Sequence, residues 1–407
     1  MRLVRLWGVC CLMCGCTLIG PSALRQSRLR YNETVKTTSE EEMLLNIVRL
    51  RYSDTPSSLA VSNIAAQFEL AATLGVNPFF AAGAERSFTT ALPQASIGGS
   101  DRPTFSLTPL DDSDFARRLF TPLSLDGVLY LAKTTWPIQT VFRLYLENLN
   151  WVPNSQTASG PTPAEAPPSS EFLEGMQALQ KLQQRGDLVF GSEDHPRTLG
   201  GVVTAVTADS AIAAAQQGLE LAPQPDGKTW KLQRPGRQFV MHVNPATLES
   251  AEMVSLRRIF KLKKNTSRFE VTVEELHPFQ TSGTEGFSQV DLETRSLLQA
   301  LFFVSHGVEV PAEHLSRGVA RQTKKPDGTP FDWEPVLHGL FKVKSEQGDC
   351  GSEDSHVSVG YAGHCFFIDA TDQDTKSTFA LLMELARLEV PGQAGHAPIL
   401  TIPLGGR

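Results

Sequence analysis

The chain has 407 residues, of which 41% are hydrophobic and 20% charged, the balance of a globular polypeptide rather than a disordered one. Its 44 acidic residues outnumber 37 Lys and Arg, a formal charge of −7. With no long basic stripe, it lacks the electrostatic footprint that a phosphate backbone requires, which excludes nucleic acid as a partner class. The length allows two or three domains on a soft prior of roughly 150 residues each.

The amino terminus reads as an export signal. Arg2 and Arg5 give the basic start, and residues 6–13 give an apolar run of eight residues. A helix needs about 20 to cross a bilayer, so this run is a removable signal core and not a permanent span. It ends in Leu12-Met13-Cys14-Gly15-Cys16, with Thr17 next. These residues resemble the lipobox of bacterial lipoproteins, in which the cut precedes a cysteine that carries the lipid. The resemblance makes Cys16 the acylated residue. Cys14 is the alternative, disfavoured because Met13 is a poor residue directly before a cut. Thr17 stands where an Asp would resemble an inner-membrane retention signal, which implies the outer membrane, on its periplasmic face. Losing Arg2 and Arg5 leaves 35 Lys and Arg against 44 acidic residues, a mature charge of −9.

Residues 21–38 read as a polar tether. Ser39-Glu40-Glu41-Glu42 has the form of a capping box, and the helix it opens carries Met43, Leu44, Ile47 and Val48 before Asp54-Thr55-Pro56 ends it. Residues 55–110 are short of charge, holding only Glu69, Glu85, Arg86, Asp101 and Arg102. From Ala60 to Leu74 the even positions run Ala, Ser, Ile, Ala, Phe, Leu, Ala, Leu, against Asn63, Gln67, Glu69 and Thr73 at odd ones. This period of two predicts a long strand. A turn is expected at Gly98-Gly99-Ser100, with a return strand over 103–108. A membrane strand needs about 9–11 residues, so a membrane-inserting hairpin is open. So is a soluble sheet or helix, since Ile64, Phe68 and Ala72 also have helical spacing.

Residues 111–149 are expected to be helical, broken at Pro122 and restarted at Trp136-Pro137. The Pro/Ser/Ala-rich stretch 153–170 is expected to be a linker. A helix over 171–185 stops at Gly186. Strands at 188–190 and 202–206 precede a helix over 208–217. Strands at 229–232 and 239–243 are expected to pair with each other, and a helix from Asn244-Pro245 runs to Phe260 before a strand at 268–273. The last third predicts a helix over 290–305, strands at 340–343, 356–361 and 365–369, a helix capped by Asp374, and a closing strand at 399–402. The order of elements predicts an α+β fold of mixed helices and short, mostly antiparallel sheets, with an N-terminal helical and β-hairpin region. The expected parts are the signal peptide 1–15, the N-terminal region 16–152, the linker 153–170, a central α+β region 171–280 and a C-terminal α+β region 281–407.

Chemistry is sparse. There is no phosphate loop, zinc-protease motif or nucleophile elbow, so no catalytic, cofactor-binding or metal-ligating residue is assigned and no cofactor is expected. Cys350 and Cys365 are the two cysteines outside the signal and form a candidate disulfide in an oxidising compartment; a free buried thiol at Cys365 is the alternative. Cys350 with His364 would be the one nucleophile–base pair. His306 and His314 near Glu309 and Glu313 lack tight ligand spacing, and Asp369, Asp372 and Asp374 lack the glycine and glutamate of an EF-hand.

Residues 31–34 with 46–56, and 375–380 with 398–403, resemble a recurrent group of uncharacterised proteobacterial envelope lipoproteins, a likeness that implies location and no activity. The expected function is that of a structural or interaction subunit of an envelope assembly, anchored to the membrane by lipid, with protein partners or a homo-oligomer. In a sharper form residues 57–110 give strands to a shared pore, by analogy with small curli-type secretion lipoproteins. The alternative is a periplasmic, hydrolase-like enzyme.

Overall fold

The computed structural model describes residues 29–57, 59–81, 88–109, 117, 119–133, 136–279, 285–351 and 354–389. The chain divides into two compact units, one of residues 1–36, 57–115 and 391–407, the other of residues 37–56 and 116–390. It is α+β. Helix α1 spans 29–51. The expected tether is therefore helical from residue 29, and Ser39 lies inside the helix instead of capping it. No proline or glycine interrupts 29–51, so nothing restarts the helix at Ser39.

The first unit is dominated by two strands, β1 (Leu59–Ala81) and β2 (Phe88–Pro109), paired antiparallel from Leu59↔Pro109 to Ala81↔Phe88 with one irregularity between Val61 and Asn63. At about 3.4 Å per residue, 22 residues of β2 make a ribbon about 75 Å long. The expected turn at Gly98-Gly99-Ser100 is mid-strand, opposite Ala71, Leu70 and Glu69. Glycine marks a turn only where partner strands end, and here β1 continues past it. Pro78, Pro93 and Pro103 lie within the strands, tolerated because each strand of a two-stranded ribbon has a free edge.

The second unit holds, in chain order, α2 (Leu125–Lys133), α3 (Ile138–Tyr145), β3 (Leu146–Leu149), β4 (Val152–Pro153), α4 (Ser170–Arg185), β5 (Leu188–Asp194), β6 (Arg197–Val203), α5 (Ala208–Gln216), β7 (Glu220–Pro223), β8 (Trp230–Arg234) and β9 (Arg237–Val243). There follow α6 (Ala251–Phe260), β10 (Arg268–Val273), β11 (Gln289–Thr294), α7 (Leu297–Ser305), α8 (Ala312–Ser316), α9 (Glu334–Leu337), β12 (Lys344–Gln347), β13 (Ser355–Tyr361), β14 (His364–Asp369) and α10 (Gln373–Glu389). The main sheet has the order β4-β3-β11-β10-β9-β5, with β10 and β11 parallel and the other neighbours antiparallel. Smaller sheets have the orders β12-β14-β13 and β6-β8-β7.

One hydrophobic core runs from Leu44 through Phe142, Phe172, Phe260 and Phe303 to Phe379. It crosses the expected boundaries at 152 and 280, because the main sheet takes strands from both sides of each. Within it α4 lies against α6, with Phe172 edge-on to Phe260 at 6.4 Å. A Cβ on Gly175 would meet the Phe260 ring at 2.4 Å, so only glycine allows that approach.

Several local expectations are overturned here. The helix begun at Pro137 ends at Tyr145, and Leu146–Leu149 is a strand paired with β11. The expected helix over 290–305 is strand β11 followed by α7, divided by a capping box in which Ser296 and Gln299 satisfy each other's backbone N–H. Strands β8 and β9 do not pair with each other; β8 lies between β6 and β7, and β9 between β5 and β10. The helix expected from Asn244-Pro245 is a short 3-10 turn, and α6 starts after the Ser250 cap. Residues 340–343 contribute only the parallel bridge Val308↔Val343. The N-cap of α10 is Asp372, which accepts from the Thr375 N–H, and not Asp374. Residues 399–402 lie outside the described residues.

The stretch 153–170 is no linker. Asn154, Ser155, Ala158, Ser159 and Thr162 are all buried. Asn154 Nδ2 donates to the Arg143 and Leu146 carbonyls at 2.8 Å each. Composition predicted disorder because the segment has little apolar surface of its own; it is ordered instead by hydrogen bonds to the core around it.

Candidate functional site

Cys16 and the rest of the expected signal lie outside the described residues, whereas the hairpin's backbone is described in full register. Residues opposite one another in an antiparallel pair share a face of the ribbon, as do positions two apart. One face therefore collects Ile64, Ala66, Phe68, Leu70, Ala72, Leu74, Val76, Pro78 and Phe80, opposite Phe105, Pro103, Asp101, Gly99, Ile97, Ala95, Pro93, Ala91 and Thr89. Only Asp101 and Thr89 interrupt its apolar character. The other face carries Asn63, Gln67, Glu69, Thr73 and Asn77, opposite Ser106, Arg102, Ser100, Ser96 and Leu92 with Thr104 and Gln94 between. The two faces differ over residues 63–77 of β1, whereas towards the 79–92 end the second face also carries Phe79, Ala81, Phe88 and Leu92. Among the described residues its strands pair only with each other, leaving two free edges.

In the second unit Cys350 and Cys365 are joined by a disulfide with Cα atoms 5.1 Å apart. This removes the candidate nucleophile, since a bridged sulfur cannot attack. Beside the bridge the tight Ala362-Gly363 turn, with φ of 48° and 81°, sets His364 and Tyr361 at adjoining ends of β14 and β13. His364 lies edge-on to His314 at 4.7 Å. His314 Nδ1 is 2.7 Å from the Tyr52 hydroxyl, and Tyr361 donates to Asp54. Burial pushes the Tyr52 hydroxyl up to about 12, and burial followed by the neighbouring His364 lowers His314. The cluster binds the end of α1 to the small β12-β14-β13 sheet. His306 is not part of it. Among the described residues no group of three or more His, Cys, Asp or Glu could hold a metal.

Three buried arginines follow a common pattern. Arg295, wholly buried, donates to Ser159 Oγ at 2.8 Å and to the carbonyls of Arg143, Leu144 and Asn154, with its guanidinium 4.0 Å above the Phe303 ring. Burial pulls it down to about 9. Arg143 donates to the Val336 and His338 carbonyls, and Arg51 to Thr162 Oγ1 and the Arg321 carbonyl. Each is held by carbonyls and hydroxyls rather than by a carboxylate. In the sequence, an arginine within an apolar run, as in Phe142-Arg143-Leu144, is the local sign of such a buried guanidinium.

A cavity of about 510 Å³ opens between the end of α7, the 332–342 segment and the start of α10, within the range of small-molecule sites. Gly307 lets the chain leave α7, since a Cβ there would meet the Phe341 carbonyl at 2.5 Å. His306 lines the cavity with Nδ1 2.7 Å from the Phe302 carbonyl. That carbonyl can only accept, so Nδ1 carries the proton and Nε2 keeps a free lone pair. Among the described residues Nε2 has no hydrogen-bond partner, nor has Nε1 of Trp333, whose ring centre lies 4.2 Å away. Burial first, then Arg51, pushes His306 down to about 3, so it is neutral at physiological pH.

The cavity carries Glu309, Asp332, Glu334, Asp372 and Asp374 against Lys342. Asp332 accepts from the Glu334 N–H, Glu334 pairs with His338, and Asp372 is bound to Thr375. The third member of the acidic run, Asp369, is held well below the usual carboxylate range by Lys344, then Thr371. Its run is thus explained by a turn and a cap, not a cation loop. Among the described residues no helix is long and apolar enough to cross a membrane. No family model, curated protein or solved structure matches this chain.

Proposed function

We propose that the chain is a lipoprotein anchored through Cys16 to the periplasmic face of the outer membrane, where it is a structural subunit of an envelope assembly. In this reading the β1–β2 hairpin adds two strands to a barrel shared by several copies. The observation that carries it is the register, which over residues 63–77 of β1 sets mostly apolar positions on one face and most of the polar ones on the other. A two-stranded hairpin standing alone is marginal in water, and its free edges invite further pairing. Closing such ribbons into a barrel satisfies the edges, sets the apolar face toward lipid and the polar face toward the lumen. A barrel strand spans the hydrocarbon with about 9–11 residues, and β2 has 22, so each strand extends well beyond it. Proline at 78, 93 and 103 withholds an N–H, so pairing between copies is interrupted at those rungs. The lipid anchor rests on the Leu12 to Cys16 motif. The enzyme alternative loses its one candidate nucleophile to the Cys350–Cys365 bridge.

Single cysteines introduced along β1 in a variant lacking Cys350 and Cys365 test the hairpin. In native membranes a water-soluble maleimide should label positions 67, 69 and 73 and spare 68, 70 and 72. Equal labelling of both sets would end the barrel reading. Palmitate incorporation that is lost in Cys16→Ser tests the anchor; incorporation unchanged by that substitution, and removed by Cys14→Ser, would move it to Cys14.

A further inference from the structure

The end of α1 is fixed to the small sheet by a cluster that the hairpin reading does not use. Ser53 has a φ of 59°, a left-handed backbone that residues with a Cβ adopt rarely, so surrounding contacts must hold it there. Those contacts are aromatic. The Tyr52 ring, 8% exposed, lies 5.1 Å from Tyr361, 5.6 Å from His314 and 6.1 Å from Phe366. Asp54 accepts from the Tyr361 hydroxyl at 3.2 Å. At Leu59 the chain enters β1, so the cluster grips the last residues before the hairpin.

The cluster is built for neutral imidazoles. The Tyr52 hydroxyl makes one hydrogen bond among the described residues, to His314 Nδ1 at 2.7 Å, so it donates and Nδ1 accepts. The His314 ring is buried and also meets the Ala362 carbonyl, which can only accept. His364 lies edge-on to it at 4.7 Å, and its own Nδ1 is buried with no hydrogen-bond partner among the described residues. A proton on His314 Nδ1 would point an N–H at a hydroxyl that already donates, and turn that hydroxyl toward no acceptor. Protons on both rings would set two like charges side by side in a buried cluster.

Charged groups stand on every side of the pair. Glu313 favours a charged His314, but it is bound to Arg317 at 3.2 Å, and Arg317 opposes that charge. From α1, Asp54 is held by Tyr361, with Arg49 and Arg51 beside the two tyrosines. Glu346, next to the β12 residue that pairs with His364, and Asp349 are exposed, where water and salt screen them. Burial and the neighbouring imidazole therefore prevail, and His314 is lowered.

We propose that Tyr52, His314 and His364 form an acid-sensitive latch, in which neutral imidazoles hold the end of α1 on the β12-β14-β13 sheet and protons taken up by the two rings release it. A ring freed into water is an ordinary imidazole that charges below about pH 6.5. The closed form binds fewer protons, so closure is intact above that pH and weakens as pH falls. One such imidazole can raise the opening equilibrium by about thirtyfold at most between pH 7.5 and pH 5.

Amide hydrogen exchange of the full chain tests this. The N–H groups of Tyr52, Ser53 and Asp54 are bonded to carbonyls in the last turn of α1, so their protection reads this end. Corrected for intrinsic exchange, their opening should rise at least fivefold from pH 7.5 to pH 5. His314→Gln should abolish that rise, and His364→Gln, at a half-buried position, should at least halve it. Should His314→Gln fail to fold, NMR titration of the wild-type imidazoles gives a second reading, in which His314 should take up its proton below the free value. Opening that is equal at the two pH values would overturn the proposal. So would a rise that persists in either variant, which would assign it to another group such as His306, or a His314 that titrates at or above the free value.

Discussion

Replacing Arg295 with methionine keeps a long unbranched side chain in the core and removes every donor of the guanidinium. Four hydrogen bonds are lost, to Ser159 Oγ and to the carbonyls of Arg143, Leu144 and Asn154. At ~1.5–3 kcal/mol for each bond to a charged donor, the gross loss is ~6–12 kcal/mol. Against it stands the cost of burying the charge. Burial lowers the group from 12.5 to about 9, which at 1.36 kcal/mol per pH unit amounts to ~5 kcal/mol that methionine does not incur. The net expectation is a loss of ~1–7 kcal/mol, centred near ~4, a large part of the ~5–15 kcal/mol that a domain of this kind possesses. In urea, with a slope of ~3 kcal/mol per molar, the midpoint should fall by ~1 M. The damage should also be local, because two of the four partners lie in 153–159. Limited proteolysis should cut Arg295→Met within 153–170 long before wild type. A midpoint unchanged in Arg295→Met, together with wild-type protection of that stretch, would refute the idea that this guanidinium orders it.

Other outcomes follow from the same structure. Alanine at Gly175 gains ~1 kcal/mol of helix propensity, yet its Cβ would sit 2.4 Å from the Phe260 ring. Overpacking of ~1–3 kcal/mol should prevail, and calorimetry should show a lower melting temperature that Phe260→Leu partly restores. Removing both Cys350 and Cys365 opens a closure of 15 residues and should cost ~3 kcal/mol on the chain-entropy model, read as a lower melting temperature that reductant no longer changes. His306 has a folded pKa of about 3 against 6.5 for the free group. The unfolded chain therefore takes up that proton first. The contribution is intact above pH 6.5 and is lost as pH falls toward 3, ~5 kcal/mol at most. Unfolding free energy measured across that window should fall less steeply in His306→Asn; an unchanged slope would show that His306 is not the group taking up the proton.

Local and periodic information carried much of the chain. Alternation along 60–74 foretold β1, the strands expected at 356–361 and 365–369 match β13 and β14, and Gly186 marked the end of α4. In each case a few neighbouring residues contain the cause, whether a period of two or a backbone angle that glycine adopts freely. The lipobox-like motif proposed at Leu12 to Cys16 is local in the same sense, so that proposal rests on sequence alone. What depended on tertiary structure were the groups whose partners are far along the chain. Composition makes 153–170 a linker until Arg295 and Arg51 supply hydrogen bonds from 136 and 111 residues away. The length of the hairpin, the division of β11 from α7 and the cavity at His306 are of this kind. A strand runs as far as its partner does, and an imidazole stays neutral down to a pH of about 3 only where the surrounding fold has excluded water.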